Sequence, residues 1–567
     1  MVTVMREKKW LVRPPRPREQ AAIASGLGVS SVTARILVNR NITNLQDGHR
    51  FLNNKIDHLY NPFLFPCMDK ITSRIGQAIR AGKHITVYGD YDADGICGTA
   101  LLVLVLKELG AHCDYYLPHR EEEGYGLNQE AIRKCRKSGT DLLITTDCGT
   151  GSTVEVDYAL SIGMEVIITD HHSPSGPIPQ CTGVINPKLS DCPYPYKELA
   201  GVGVAYKLAQ ALSEKVKPID VTKHLDLVAI GSIADIVPLT GENRILVHHG
   251  LQVLRDTSKI GLQALKLKSG VIGNVQTNHV AFRLAPRINA AGRMDSAESA
   301  LKLLLTSDPA TAKQLSNLLD TSNRERQKIE RRVSKDALRE LELKFNVNSD
   351  KVIVLENDNW PVGVIGIVAS RIARQYNRPC IIINVTDKIG KGSGRSIRSF
   401  HLLDALKSCT DHLLRFGGHA FAAGLSIEEI LIPSFRQKIN QYANSVLTPD
   451  DLIPQIEIDA EASFLDLSFD FIEQLNILEP FGRGNPDPLL VSRGLQLYRD
   501  PIIVGKNHLK VWLKSGKRVF EAIGFGMGDY ISLFNESNQV DLVFRPRTNT
   551  WNNKEIIQLH IVDMKVS

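Results

Sequence analysis

Short apolar runs alternate with longer mixed segments between about residues 84 and 240. Strand-like runs lie at 85–89, 113–117, 141–145, 164–168 and 182–185, separated by helix-like segments such as Gly98–Leu109 and Val154–Ile162. Alternation of this kind predicts a mostly parallel sheet with helices on both faces. From Asp308 to Phe345 the chain has no Gly, one Pro at its start and dense charge of both signs. That stretch reads as one long helix, or two end to end, joining two domains. A second, smaller α/β segment follows, with strand-like runs at 351–355, 379–384 and 391–396 and a helix over Gly366–Gln375. Beyond a linker at 449–454 a helix is predicted near Ser468–Leu478, with Ser468 as N-cap. The remaining runs, 489–498, 501–504, 508–514, 518–525, 540–545 and 555–565, are short and separated by turns. They suggest a small β-barrel, an OB-fold first among the candidates. The chain thus divides into an N-terminal extension (1–60), an α/β domain (61–305), a linker helix (306–346), a second α/β domain (347–448) and a terminal barrel (455–567).

Composition narrows the class without naming a function. At 567 residues the chain is too long for one core. Hydrophobic content of 43% and charged content of 23% are those of an ordinary globular protein. Ala100–Leu106, the longest apolar run near the motifs below, is far too short to cross a bilayer, and no membrane association is expected. Met1–Arg18 is basic and Pro-rich, unlike a signal peptide. Nine cysteines without a Cys-x-x-Cys pair favour reduced thiols and a cytoplasmic location. A net charge of +6 permits a nucleic-acid partner without requiring one.

The chemistry begins at Asp90-Tyr91-Asp92-Ala93-Asp94-Gly95, three alternating carboxylates directly after an apolar run. Held together, such charges repel and would partly neutralise unless a cation sat among them. The spacing matches the start of an EF-hand calcium loop, but that loop needs a Glu at its twelfth position and a helix in front. Here the twelfth position is Leu101 and a β-like run precedes, so calcium of that type is excluded. Three later runs end alike: 142–146 in Asp147, 166–169 in Asp170-His171-His172, and 225–233 just before Asp235. In an open parallel sheet, acids at the carboxyl ends of strands meet in one crevice. A single Asp there is most often a helix N-cap or a turn former; four such sites in one segment favour a shared task. Six carboxylates and two histidines suit Mn²⁺ or Mg²⁺ in a two-ion cluster, and zinc is disfavoured because no thiolate pair accompanies them. Two such ions can activate water and hold the attacking and leaving oxygens of a phosphoryl transfer.

These motifs, Tyr88–Gly95, Thr146-Asp147-Cys148-Gly149, Asp170-His171-His172 and Ser232-Ile233-Ala234-Asp235, resemble the four motifs of the DHH phosphoesterase superfamily. Gly417-Gly418-His419 resembles the signature of its DHHA1-type second domain. Pro118-His119-Arg120 with Glu123–Leu127, Pro286–Arg293, Gly392–Ser396 and Glu479–Pro486 narrow the likeness to the RecJ family, single-strand-specific 5′→3′ exonucleases. The resemblance implies that Asp90, Asp92 and Asp147 hold one ion and Asp94, Asp147, His171 and Asp235 the other. It implies that His172 and His419 face the scissile phosphate and that Arg120, Ser393 and Arg395 grip the phosphate at the 5′ end. Arg287, Asn289 and Arg293 would line the strand path. The chain departs from the family at Trp360-Pro361, where Trp-His is usual, and at Cys97, where a hydroxyl residue is common.

In the terminal segment Lys506, His508, Lys510, Trp512 and Lys514 alternate, followed by Arg545, Arg547 and Trp551. On one strand face this would set cations beside rings, the composition of a single-strand platform. The expected activity is metal-dependent hydrolysis of single-stranded DNA from the 5′ end, releasing 5′-mononucleotides, in recombination and repair. A monomer, supplied by a single-strand-binding protein and a helicase, is expected. One rival is a phosphodiesterase for very short oligonucleotides or nucleotide messengers, against which the extra barrel counts. The other is a non-catalytic strand-binding scaffold, against which the intact acids count.

Overall fold

All five runs expected as strands in the first α/β segment form strands, and they make one parallel sheet in a computed structural model of the chain. The structure describes residues 8–120, 122–174, 176–294, 296–346, 349–535, 537–551 and 554–567, the side chains of Met294 and Trp551 excepted. In spatial order the strands are His112–Tyr116, His84–Gly89, Leu142–Thr146, Glu165–Thr169 and Gly183–Ile185. Val87 pairs with Tyr115 on one side and Ile144 on the other. Leu142–Thr146 is buried at every position, which is why these runs lack a two-residue alternation. Numbered along the chain, the order is 2-1-3-4-5. The chain therefore leaves His84–Gly89 toward opposite sides, making its carboxyl end a topological switch point where ligands bind in such sheets. The acidic hexad starts there.

The helix Ala93–Glu108 is apolar on all sides because it lies between the sheet and two further helices, Gly201–Lys215 and Leu225–Ala234. The last of these corrects an expectation. Leu225–Ala234 is a helix buried at nine consecutive positions, Leu225 to Ile233, so Asp235 caps a helix rather than ending a strand. A continuous apolar run carries no period, and burial on every side hides the difference between strand and helix.

Contact within the chain groups residues 11–319 with 457–567, and 320–456 with residues 8–10, among the described residues. In the first group, Leu490–Val504, His508–Ser515, Arg518–Gly524, Gln539–Trp551 and Lys554–Val566 form a barrel, closed by pairing of its first and fourth strands. The runs 489–498 and 501–504 are one strand with register shifts near Arg499. Ser468 caps the helix Phe469–Ile477, its hydroxyl accepting from Phe471 N at 3.1 Å. The segment before residue 60 is more than an extension: Ile23, Val32, Ile36, Leu37 and Val38 are buried in one core with Phe464, Leu475, Leu490 and Phe544 of the barrel. Arg244, from the helix Gly241–Arg255, is nearly buried and donates to the carbonyls of Leu478 (2.7 Å), Ile477 (3.1 Å) and Phe51 (3.2 Å). It thereby caps the C-terminal end of Phe469–Ile477 with a cation.

The second group holds a five-stranded mixed sheet in the order Arg415–Gly418, Ala422–Glu428, Ile389–Arg395, Cys380–Thr386 and Ile353–Asn357. Its first two strands were not expected, because Gly417, Gly418 and Gly424 give them a poor strand propensity. A single 36-residue helix, Pro309–Lys344, runs from one group into the other. Among the described residues no single helix is long and apolar enough to cross a membrane.

Candidate metal centre

The hexad folds as a strand end, a turn and a helix start. Asp92 is the N-cap of Ala93–Glu108, one carboxylate oxygen accepting from Asp94 N at 2.9 Å and Gly95 N at 3.1 Å. Gly95 is required, since a Cβ there would lie 2.7 Å from the Asp90 backbone N and O. Asp94 sits in the first helical turn. Its oxygens accept from Gly201 N (2.7 Å) and Val202 N (2.9 Å), the first amides of Gly201–Lys215. The start of Gly201–Lys215 thus holds an acid of the protein itself. Asp147 follows Leu142–Thr146 with φ +64, an uncommon conformation for a residue with a side chain. Its N–H donates to Thr169 O at 3.0 Å.

Three sets of ligand atoms come together around Asp147 and His171, each within 4.8 Å: Asp90, Asp92 and Asp147; Asp94, His171 and Asp235; and Asp147, His171 and His172. His171 Nε2 lies 3.1 Å from Asp147, 3.7 Å from Asp235 and 3.9 Å from Asp94. Asp147 and His171 belong to two sets each, so the cluster has the connectivity of two cation sites sharing ligands. Asp90 Oδ1, Asp147 Oδ1 and both ring nitrogens of His171 are buried without a hydrogen-bond partner. Buried polar atoms are otherwise almost always paired. An oxygen-and-imidazole set of this kind, orphaned and dense in negative charge, fits divalent cations of the Mn²⁺ or Mg²⁺ type.

Electrostatics agree. Burial, then the charge of Asp92, raises the Asp90 carboxyl to about 8. Burial and Asp235 raise Asp94 to about 7, and burial and Asp92 do the same for Asp235, also to about 7. Asp147 is pushed well up by burial and by Asp94. Burial lowers His171, keeping its imidazole neutral as a ligand must be.

Asp170 behaves differently from the other acids. Its oxygens accept from Thr150 N (2.9 Å), His171 N (2.7 Å), His172 N (3.1 Å) and His172 Nδ1 (2.8 Å). Burial opposes its charge, yet these bonds, that to His172 foremost, hold it down at about 2. Its lone pairs are spent on the protein, so it positions the two histidines rather than offering a ligand atom. Burial lowers His172 most, but the bond to Asp170 and the charges of Asp170, Asp235 and Asp94 together outweigh it, and the net shift is upward. The Tyr125 hydroxyl, 2.9 Å from His172 Nδ1 and 3.1 Å from Asp147 O, joins the two. By sequence Tyr125 lies only inside the Glu123–Leu127 motif, and no spacing rule exposes such a contact.

The remaining expected residues are distributed as follows. Arg120 stacks on Tyr91, 5.0 Å from its ring centre. Asn289 Oδ1 accepts from Ala93 N at 2.8 Å, so it braces the acid-bearing helix. Arg287 donates to Arg283 O at 2.6 Å, and Arg293 follows Gly292, which packs on the Tyr91 carbonyl. In the 320–456 group, Arg395 donates to Ser393 Oγ at 3.1 Å, and His419 is exposed in the turn joining Arg415–Gly418 to Ala422–Glu428. Pro361 is the N-cap of Val362–Tyr376 and Cys97 is fully buried in its helix. On the barrel, Arg499 stacks 3.2 Å from the Trp512 ring centre and Lys510 lies 5.3 Å from it. Lys510 is paired with Glu521 (2.9 Å), Arg545 with Asp487 (3.1 Å), and Lys506 is exposed in a turn. Trp551's side chain lies outside the described residues. Phe525, 58% exposed and edge-on to His508 and His560, is an aromatic that the alternation pattern missed.

Three family models match the chain in order: the DHH family N-terminal domain at 84–232, the DHHA1 domain at 349–445 and the RecJ OB domain at 458–563. The single-stranded-DNA-specific exonuclease RecJ of Bacillus subtilis is 37% identical over 563 residues, 99% of this chain and 71% of that protein. The crystal structure of RecJ in complex with Mn²⁺ from Thermus thermophilus superposes with a TM-score of 0.85 at 32% identity, covering 99% of this chain and 80% of that one. The Mg²⁺ complex from the same organism gives 0.79 at 32% identity, with 99% and 78% covered. Identity of this degree over nearly the whole length, with three family models matched in succession along the chain, places it in the RecJ family.

Proposed function

We propose that the protein is a metal-dependent exonuclease that hydrolyses single-stranded DNA from its 5′ end and releases 5′-mononucleotides, serving recombination and repair. The observation that carries this reading is the set of three ligand clusters centred on Asp147 and His171. Asp90, Asp92 and Asp147 would hold one ion, and Asp94, Asp147, His171 and Asp235 the other. Bound there, Mn²⁺ or Mg²⁺ supplies the positive charge that makes water acidic enough to attack phosphorus and that offsets charge on the leaving 3′-oxygen. Relatives solved with each of these ions support the choice.

The chain's own residues do the rest. Asp170 accepts from His172 Nδ1, and in the doubly protonated ring that this carboxylate favours, Nε2 carries the proton it donates to a phosphate oxygen or to the leaving oxygen. His419 is assigned the same duty from the 320–456 group. Arg120, Ser393 and Arg395 bind the 5′-phosphate, where a guanidinium fork matches two phosphate oxygens. Arg287 and Arg293 steer the strand by charge, and Asn289 contributes by holding the acid-bearing helix. Trp512, with Arg499 and Lys510 about it, together with Lys506 and Arg545 receives the strand on the barrel. Nine free cysteines support a reducing, cytoplasmic setting. A single-strand-binding protein and a helicase are the expected suppliers of substrate, and the protein is proposed to act as a monomer.

The reading is tested with 5′- and 3′-labelled single-stranded DNA, duplex DNA and RNA, each with Mn²⁺, Mg²⁺ or chelator. Early release of the 5′ label as mononucleotide, from single strands and only with metal, is expected. Cleavage that survives chelator would overturn it. Loss of activity beyond a few nucleotides of length would favour the short-oligonucleotide phosphodiesterase instead.

A further inference from the structure

The sheet of the 320–456 group carries a stretch of face that its helices leave bare. Side chains alternate along Ile389–Arg395, so Lys391, Ser393 and Arg395 share one side. Directly paired residues share that side too. Ser426 and Arg415 stand in line with Lys391, and Gly424 and Gly417 in line with Ser393. The helix Val362–Tyr376 covers this side at Ser393 and Arg395: a Cβ on its Gly366 would lie 2.9 Å from Ser393 Oγ and 3.0 Å from an Arg395 guanidinium nitrogen. Toward the sheet edge a depression of about 360 Å³ opens, lined by Lys391, Arg415, Ser426 and the backbone of Gly417 and Gly424. Its floor is free of side chains. A Cβ on Gly417 would meet no atom within 4 Å, and one on Gly424 only Gly392 O at 3.9 Å. Lys391 and Arg415 are exposed, and neither is paired with an acid among the described residues.

Two unpaired cations flanking a hydroxyl, over bare backbone, complement a chain of phosphates and repel a cationic ligand. Lys391 lies two residues from Ser393, about 7 Å along the strand, which is within reach of a lysine side chain. We propose that this depression receives the phosphates beyond the first on a 5′-di- or triphosphorylated strand end whose innermost phosphate is held by Ser393 and Arg395. The proposal rests on the reading of those two residues as the 5′-phosphate grip.

Initial-rate kinetics of the full-length protein with Mn²⁺ test it. Otherwise identical single strands carrying a 5′-mono- or a 5′-triphosphate are compared for the unmodified chain and for Lys391→Ala/Arg415→Ala. The unmodified chain should show a KM for the triphosphorylated strand no higher than for the monophosphorylated one. The double variant should raise the triphosphate KM about tenfold, with kcat and the monophosphate KM unchanged. A KM rise shared by both strands, no rise at all, or rejection of the triphosphorylated strand by the unmodified chain would overturn the proposal. So would inhibition by a free nucleoside triphosphate that depends on Lys391 and Arg415 while strand ends do not, since the depression would then belong to a free nucleotide. If the monophosphorylated strand yields no nucleotide at all, the nuclease reading fails first.

Discussion

Burial and neighbouring carboxylates raise Asp90, Asp94 and Asp235 to about 8, 7 and 7. In the unfolded chain such carboxyls titrate near about 4. Their raised values mean that protonation favours the fold: the stability they contribute is complete below about pH 4 and is lost as pH rises through about 7 to 8. In chelator, the melting temperature should therefore fall between about pH 6 and pH 8.5, and Mn²⁺ should restore more of it at the higher pH. Scanning fluorimetry across that range measures both, and a chelated protein whose melting point rises with pH would contradict the assignment. At the same scale, Asp170 should count through His172 alone. Asp170→Asn is expected to lower turnover by about 10–100-fold while strand affinity, measured by fluorescence anisotropy, stays within about twofold. Full turnover in that variant would mean that the four bonds to Asp170 do not position the catalytic edge.

Elements carry the site by close backbone approach and by buried pairs. Gly201 leaves no room for a side chain, since a Cβ there would lie 2.6 Å from Asp147 Oδ1. Gly201→Ala is expected to remove most of the Mn²⁺-induced stabilisation while leaving the fold of the sheet intact by circular dichroism. Farther from the site, Lys207 and Glu242 form a 2.7 Å ion pair with both side chains wholly buried, and Tyr194 and Tyr60 N complete the hydrogen bonds of Glu242. Lys207→Met should cost about 3–5 kcal/mol by urea unfolding, because it strands a buried charge, and adding Glu242→Gln should recover part of that loss. Much at this scale was legible from the chain. The strands 84–89, 142–146 and 165–169 and their terminal acids showed themselves because apolar runs broken by Asp and Gly have few alternatives. Asp235 was placed rightly at the end of an apolar run but on the wrong kind of element, since a fully buried helix leaves no period to read. The hairpin around His419 was missed because its glycines, which leave a face bare for a ligand, weaken the strand signal.

At the scale of the whole molecule, the least legible feature was the partnership between the two ends of the chain. Pro17–Leu27 and Ser31–Asn39 have apolar faces that fit many partners, and only the fold shows that the barrel's core, more than 400 residues away, is theirs. Removing 457–567 alone should therefore leave Ile23, Ile36 and Leu37 uncovered and yield an aggregating protein. Removing residues before about 55 as well should restore solubility, as sedimentation would show; equal behaviour of the two truncations would contradict the shared core. The clustering of Asp90, Asp92, Asp94, Asp147, His171 and Asp235 remains the central feature, and the proposed sharing of Asp147 between two ions is its sharpest consequence. Electron paramagnetic resonance of the Mn²⁺-loaded protein tests it most directly: two ions per chain with the multiline spectrum of a coupled pair are expected, reduced in Asp147→Asn to a weak, uncoupled signal with loss of turnover. A single uncoupled ion in the unmodified chain, or a coupled pair that survives Asp147→Asn with turnover intact, would contradict the account.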